Sequence, residues 1–414
     1  MTAVRRLFSE GFRIFFLAAC VFALVSLAVW EVWLAAQAAG GLVELPTAAL
    51  PTLWHAHEMV FGYAGATLGG FLLTAVPGWV GSKAAAQRFI LLVFLLWLAG
   101  RAAVWASGSL PAPLVALADL SYLPVLGWKV GRLLMLRPKP QQLVLLAVIA
   151  VVWTGNVFCH LDWLGLMPDG ASLGVRAGLL GHAALIFIIG GRVVPGFTRN
   201  AMVQAGREHG HPRNPTALAV LSIAPALALP VAVLAGLPAG LNGTLALAAG
   251  AAGLVRLALW QGLWTVTRPI LWTLHLASLM GAAGLIALGL AYLNIGSEIA
   301  ALHLIGIGGI GGMTLSILSR ATLGHTGRPL VAPPALALAY ALLPLAALAR
   351  FAGSTWPEVY YPTGLAAGAL WLTAYGLTLA TLLAAFLGPR LPRAPVERQP
   401  TEALGRMRRE GTRA

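Results

Sequence analysis

Nine histidines stand out in a chain of which only 10% is charged. Seven of them, His55, His57, His160, His182, His275, His303 and His325, lie in or beside strongly apolar stretches. An ionisable group at membrane depth is costly and is a functional candidate by default. Imidazole nitrogen also ligates copper and haem iron. His209 and His211, in the run His-Gly-His-Pro-Arg, belong instead to a polar loop that solvates them without cost.

The run Trp54-His55-Ala56-His57-Glu58-Met59 carries a geometric consequence. At about 100° per residue, His55 and His57 point about 200° apart on a helix, whereas His55 and Glu58 share a face. One helix can therefore serve two centres, with Glu58 the candidate for proton transfer. The plain alternative is a pair of interfacial histidines with Glu58 as partner. Further along, Gly306-Ile307-Gly308-Gly309-Ile310-Gly311-Gly312-Met313 follows His303. Such glycines let helices approach closely, or they open a slot for a flat macrocycle beside an axial histidine. No strand precedes them, so they are not a phosphate loop.

Arg192 allows two readings. It snorkels to the interface, or its fork holds a carboxylate such as a haem propionate. Arg101, Arg176 and Arg350 compete for that role from the opposite side. Asn156 and Cys159, beside His160, read as helix contacts. Cys20 and Cys159 both sit in apolar segments, so there is no disulfide framework or thiolate pair. No Cys-x-x-Cys-His run exists for covalent haem.

The elements that must position these groups are membrane helices. The chain has 414 residues, is 59% hydrophobic and has a mean hydropathy of +0.84. A soluble domain is about 45–50% apolar and about 25% charged, so a water-soluble fold is excluded and an all-α integral membrane protein is expected. The net charge of +14 would suggest nucleic acid in a soluble protein. Here membrane topology accounts for it, and the lipid bilayer is the partner.

A bilayer core of about 30 Å needs about 20 apolar residues per helix. Spans are expected at 12–36, 53–78, 87–106, 112–134, 142–165, 173–198, 216–237, 240–262, 269–294, 298–322, 331–350 and 360–387. The seventh and eighth are separated only by Leu237-Pro238-Ala239-Gly240, a turn or a kink within one longer element. Basic residues such as Arg5, Arg6, Lys83, Arg137, Arg199 and Arg328 collect on one side, which places both termini in the cytoplasm. The first span is too long for a signal peptide and lacks a cleavage site. The helical domain is expected over 1–388, and the Pro- and Arg-rich 389–414 reads as a disordered basic cytoplasmic tail.

With that topology the second, sixth and tenth spans run inward from outside. His55 and His57 open the second, His182 lies about 13 Å down the sixth and His303 about 7 Å down the tenth. His160 ends the fifth on the same side, so these five are candidates to converge on an outer-leaflet site. His275 and His325 belong to the inner side, near Arg192.

Taken with Gly11-Phe12-Arg13 and Phe15-Phe16, the histidine run at 54–59, the Gly-Gly-Arg-Val-Val-Pro and Phe-Thr-Arg-Asn of the sixth span, and Leu323-Gly324-His325-Thr326-Gly327-Arg328, the chain resembles the NnrS family from about residue 9 to about residue 330. The resemblance implies a twelve-span protein of the bacterial inner membrane. It would contain non-covalent b-type haem and copper, and act in nitric oxide metabolism, denitrification or defence against nitrosative stress. By architecture alone, subunit I of haem-copper oxidases is analogous. It also has twelve spans, and it places metal-binding histidines in the outer halves of helices 2, 6, 7 and 10. Here the seventh span has no histidine, so further ligands must come from His160, Glu58 or the inner histidines.

Haem and copper ligands are therefore sought among His55, His57 and His303, extended by His182, His275, His325 and His160, with Arg192 as a cofactor contact. Three functions stay open. The first is an oxidoreductase reducing nitric oxide to nitrous oxide with electrons from quinol or a separate donor. The others are a non-catalytic haem protein that senses or scavenges nitric oxide, and a twelve-span transporter of a metal or small anion.

Overall fold

Within a bilayer an isolated segment satisfies its backbone only as a helix, and the apolar stretches fold accordingly. The computed structural model describes residues 2–392, and among these there are helices and no strands. Twelve helices are long and apolar enough to span a membrane. They are α1 (Gly11–Ala38), α2 (Pro51–Val80), α3 (Gln87–Trp105), α4 (Ala112–Leu134), α5 (Pro140–Trp163) and α6 (Gly170–Gln204), then α7 (Thr216–Leu234), α8 (Ala239–Ala258), α9 (Pro269–Tyr292), α10 (Glu298–His325), α11 (Pro334–Thr355) and α12 (Pro357–Leu387). A short helix, Ala3–Leu7, precedes them.

Proline opens α2, α5, α9 and α11, where its missing N–H and fixed φ cost nothing. The boundary between α7 and α8 is settled by Gly236, which takes a left-handed φ of 63° after the last turn of α7. A residue with a Cβ is strained there, so Leu237-Pro238-Ala239-Gly240 belongs to a turn between two helices.

Successive helices pack as antiparallel neighbours, and α1 packs against both α2 and α12, which closes the bundle. At that seam Arg13, buried at 2% exposure, donates from Nη1 to the carbonyl oxygens of Ala385, Phe386 and Gly388 at 2.9–3.0 Å. These include unpaired carbonyls at the end of α12, which a guanidinium satisfies. Gly11 allows the approach of α2, because a Cβ there would lie 2.5 Å from Leu73 Cβ. The Gly11-Phe12-Arg13 motif thus ties the start of α1 to the end of α12 on one face of the bundle, here termed the terminal face. Residues 389–392 continue without helix, and Leu391 donates its N–H to Thr326 O at 2.8 Å. The expected disordered tail lies, from 393 on, outside the described residues.

Three of the spans are not uniformly α-helical. α2, α6 and α10 each contain a π-helical segment, at Glu58–Tyr63, Ile186–Gly190 and Leu304–Gly311. Each follows a histidine: His57 directly, His182 within a turn and His303 directly. Such segments re-aim side chains by widening the turn, and they concentrate at functional sites.

Candidate functional site

α2 presents its two histidines to different places. His55 faces a cavity of about 850 Å³ in the half of the bundle away from the terminal face, bounded also by His182 of α6 and His303 of α10. Its remaining wall is largely aliphatic and aromatic. His55 stacks on Trp30 with centroids 4.4 Å apart, and its Nδ1 is buried with no hydrogen-bond partner. His303 donates from Nδ1 to Ile299 O, one turn earlier, at 2.7 Å. The lone pair is therefore on Nε2, an arrangement typical of metal-ligating histidines oriented by a carbonyl. His182 donates from Nε2 to Val60 O, within the π segment of α2, at 3.1 Å.

In the glycine run of α10 four positions serve close packing and one faces the cavity. Gly308, Gly309, Gly311 and Gly312 meet Met280, Gly281, Trp371 and Ala277, contacts that a Cβ would crowd at 2.7–3.1 Å. Gly306 lines the cavity, and the nearest atom a Cβ would meet is Leu179 Cδ1 at 3.7 Å. Of the competing arginines, Arg176 of α6 and Arg350 of α11 line the same cavity. The Arg350 guanidinium lies 4.7 Å from the Tyr360 ring centroid, Nη2 donates to Tyr360 Oη at 3.3 Å, and Nη1 is buried without a partner. Arg176 is committed to a bidentate pair with Glu298, at 2.6 and 3.3 Å.

His57 faces the other way, into a buried cluster assembled from four helices. Its Nδ1 donates to Glu58 Oε1 at 2.9 Å and its Nε2 to Asn156 Oδ1 of α5 at 2.8 Å. Asn156 in turn donates from Nδ2 to Asp119 Oδ2 of α4 at 2.9 Å, and His160 donates to the same oxygen at 2.9 Å. Arg101 of α3 pairs with both Glu58 and Asp119. Both ring nitrogens of His57 face oxygen acceptors, and Arg101 lies between the two carboxylates. Buried charges persist only when so paired. Gly100 admits the carboxylate, since a Cβ there would lie 2.8 Å from Asp119 Oδ1. One ligand atom each from His57, Asp119 and His160 lies within 4.8 Å of the others, close enough to share a metal ion.

The five outer histidines thus divide into two groups, His55, His182 and His303 at the cavity and His57 with His160 in the cluster. Glu58 belongs to the cluster with His57 and not, as expected, to the face of His55, because the π segment that begins at Glu58 breaks the 100° register, while its neighbours Met59 and Val60 line the cavity. The other named residues lie at neither place. His275 bonds to Thr198 through Nε2 at 2.9 Å, and His325 stacks on Phe12 with centroids 5.4 Å apart. Arg192 is exposed, its guanidinium 5.7 Å from the Trp79 ring centroid.

Sequence reasoning missed Asp119 and Glu31, and it assigned Asn156 only a packing role. Asp119 and Glu31 are single carboxylates within apolar spans, the same signal that drew attention to the histidines.

Fold and site together define a multi-pass helical membrane protein with a histidine-lined cavity and, beside it, a buried histidine–carboxylate cluster. The chain belongs to the NnrS family: the match to the family described as NnrS protein covers residues 6–390 and so includes every residue of both sites. No curated protein matches it. Membership marks this membrane protein as related to nitric oxide.

Proposed function

We propose that the cavity between α2, α6 and α10 holds a non-covalent b-type haem, that the His57–Asp119–His160 cluster holds copper, and that the protein reduces nitric oxide to nitrous oxide. The observation that carries this reading is the convergence of three histidines on one apolar cavity that also contains unpartnered polar atoms. A cavity of about 850 Å³ is within the range of cofactor sites. His303 Nε2 and the orphaned His55 Nδ1 offer imidazole nitrogen to a metal, and the unpartnered Arg350 Nη1 offers a charged donor to a propionate. Imidazole nitrogen suits copper, and His57, His160 and the Asp119 carboxylate would hold it.

Haem bound here supplies an iron centre at which nitric oxide is held and activated. The protein's part is to exclude water with the aromatic and aliphatic wall, to orient imidazoles through the Ile299 and Val60 carbonyls, and to keep an acid, Glu58, next to the cavity-lining Met59. Two NO, two electrons and two protons give one N2O and one water. The electrons come from membrane quinol or a separate donor. In the reading adopted here the membrane is the bacterial inner membrane and the terminal face is cytoplasmic, where the basic residues gather.

Anaerobic turnover tests this. Purified protein carrying its cofactors, given NO and a reductant, is expected to consume NO faster than free haem and to release N2O. NO binding without consumption would reduce the protein to a scavenger or sensor. Isolation without haem would overturn the cofactor assignment and favour a transporter.

A further inference from the structure

Among the described residues, Glu31 of α1 is the one carboxylic acid lining the cavity. It follows Trp30, the residue on which His55 stacks, so the same turn of α1 backs the histidine and delivers the acid. Its carboxyl group is received by Gly368 of α12, where a Cβ would stand 1.9 Å from the carboxyl carbon and 2.0 Å from Oε1. Only glycine leaves that space. No hydrogen bond or ion pair holds the carboxyl among the described residues, and Arg350 is the cation whose charge acts on it. The contrast with the other membrane-embedded acids is sharp, since Glu58 and Asp119 are both paired with Arg101. A carboxyl without a fixed partner at this depth is costly, and here a glycine on a neighbouring helix keeps room for it.

We propose that Glu31 is the proton donor to nitric oxide held in this cavity. The inference rests on the reading above. As the N–N bond forms and one N–O bond breaks, two electrons from a hydroquinone or other reduced donor enter the pair of NO molecules. Glu31 gives the first of the two protons to the oxygen that leaves as water and, once reprotonated, the second. The resulting carboxylate is stabilised by Arg350. It is reprotonated from water at the distal opening, where the exposed Thr52, Pro357 and Tyr361 line the cavity.

The test compares wild type with Glu31→Gln, which keeps the shape of the side chain in the Gly368 recess and removes the acid. Haem content and the spectrum of the NO-bound reduced protein are expected to be unchanged, while NO consumption falls about a hundredfold through kcat, the lower range for loss of a general acid. An independent readout is the infrared difference spectrum on photolysis of carbon monoxide from the reduced haem protein. Wild type is expected to show a deuterium-sensitive carboxylic C=O band that Glu31→Gln lacks. Unchanged consumption in Glu31→Gln, or the same carboxyl band in both proteins, would overturn the assignment while leaving the proposed function standing. If wild type binds NO without consuming it, the turnover reading fails and the carboxyl band alone decides whether Glu31 faces the ligand. A wild type without haem would overturn both.

Discussion

Asp119 accepts hydrogen bonds from Asn156, His160 and Arg101, so a single carboxylate joins α3, α4 and α5 inside the membrane. Removing one member of a buried ionic set leaves the rest uncompensated, at a cost of about 3–5 kcal/mol. Asp119→Asn is therefore expected to lower the thermal denaturation midpoint in detergent clearly, and to do so more than His325→Ala. Equal midpoints would show that the cluster is not structurally important. At this scale the sequence was partly legible. The opposed directions of His55 and His57 follow from helical geometry, and the structure places them on opposite sides of α2. The partners of His57 were not legible. Asp119 lies 62 positions further on in a different span, and nothing local to either residue records the contact. Glu31 was hidden for the same reason, because its recess is a glycine on α12.

Within single helices, the glycine run of α10 separates packing from cavity formation. Gly309 faces Gly281, where a Cβ would come within 2.9 Å of a backbone carbon, whereas at Gly306 the first contact is at 3.7 Å. Gly309→Ala is expected to destabilise the protein by about 1–3 kcal/mol, the usual cost of overpacking. Gly306→Leu is expected to leave the denaturation midpoint near wild type and to lower haem content by filling the cavity. The reverse pattern in paired melting and haem measurements would contradict this division of faces. Span positions are readable from hydropathy, but the three π segments are not. Apart from Glu58 and Tyr63 their residues are apolar or glycine, a composition equally at home in an α turn, and the widened turn becomes visible only once neighbouring helices fix which way each histidine points.

At the scale of the whole molecule, Arg6 donates to Leu387 O at 2.6 Å and Arg13 reaches the end of α12, so both described ends of the chain meet on one face. Lys and Arg are in excess on the loops of that face, and on this ground we propose that it is cytoplasmic. A reporter fluorescent only in the cytoplasm, fused after the last residue, is expected to be bright. The same reporter placed in the α1–α2 loop near Gly41 is expected to be dark. The opposite result would invert the molecule and place the cavity's opening on the cytoplasmic side. In the proposed orientation the cavity would open toward the exterior, open to a small uncharged gas from either the bilayer or the outer aqueous phase.

The central claim is that α2 serves two centres, a haem at His55, His182 and His303 and a copper at His57, Asp119 and His160. The direct test is the haem and copper content of purified His303→Ala and His57→Ala. His303→Ala is expected to lose haem and keep copper, and His57→Ala to lose copper and keep haem. Loss of both metals together in each variant, or of neither in both, would contradict it.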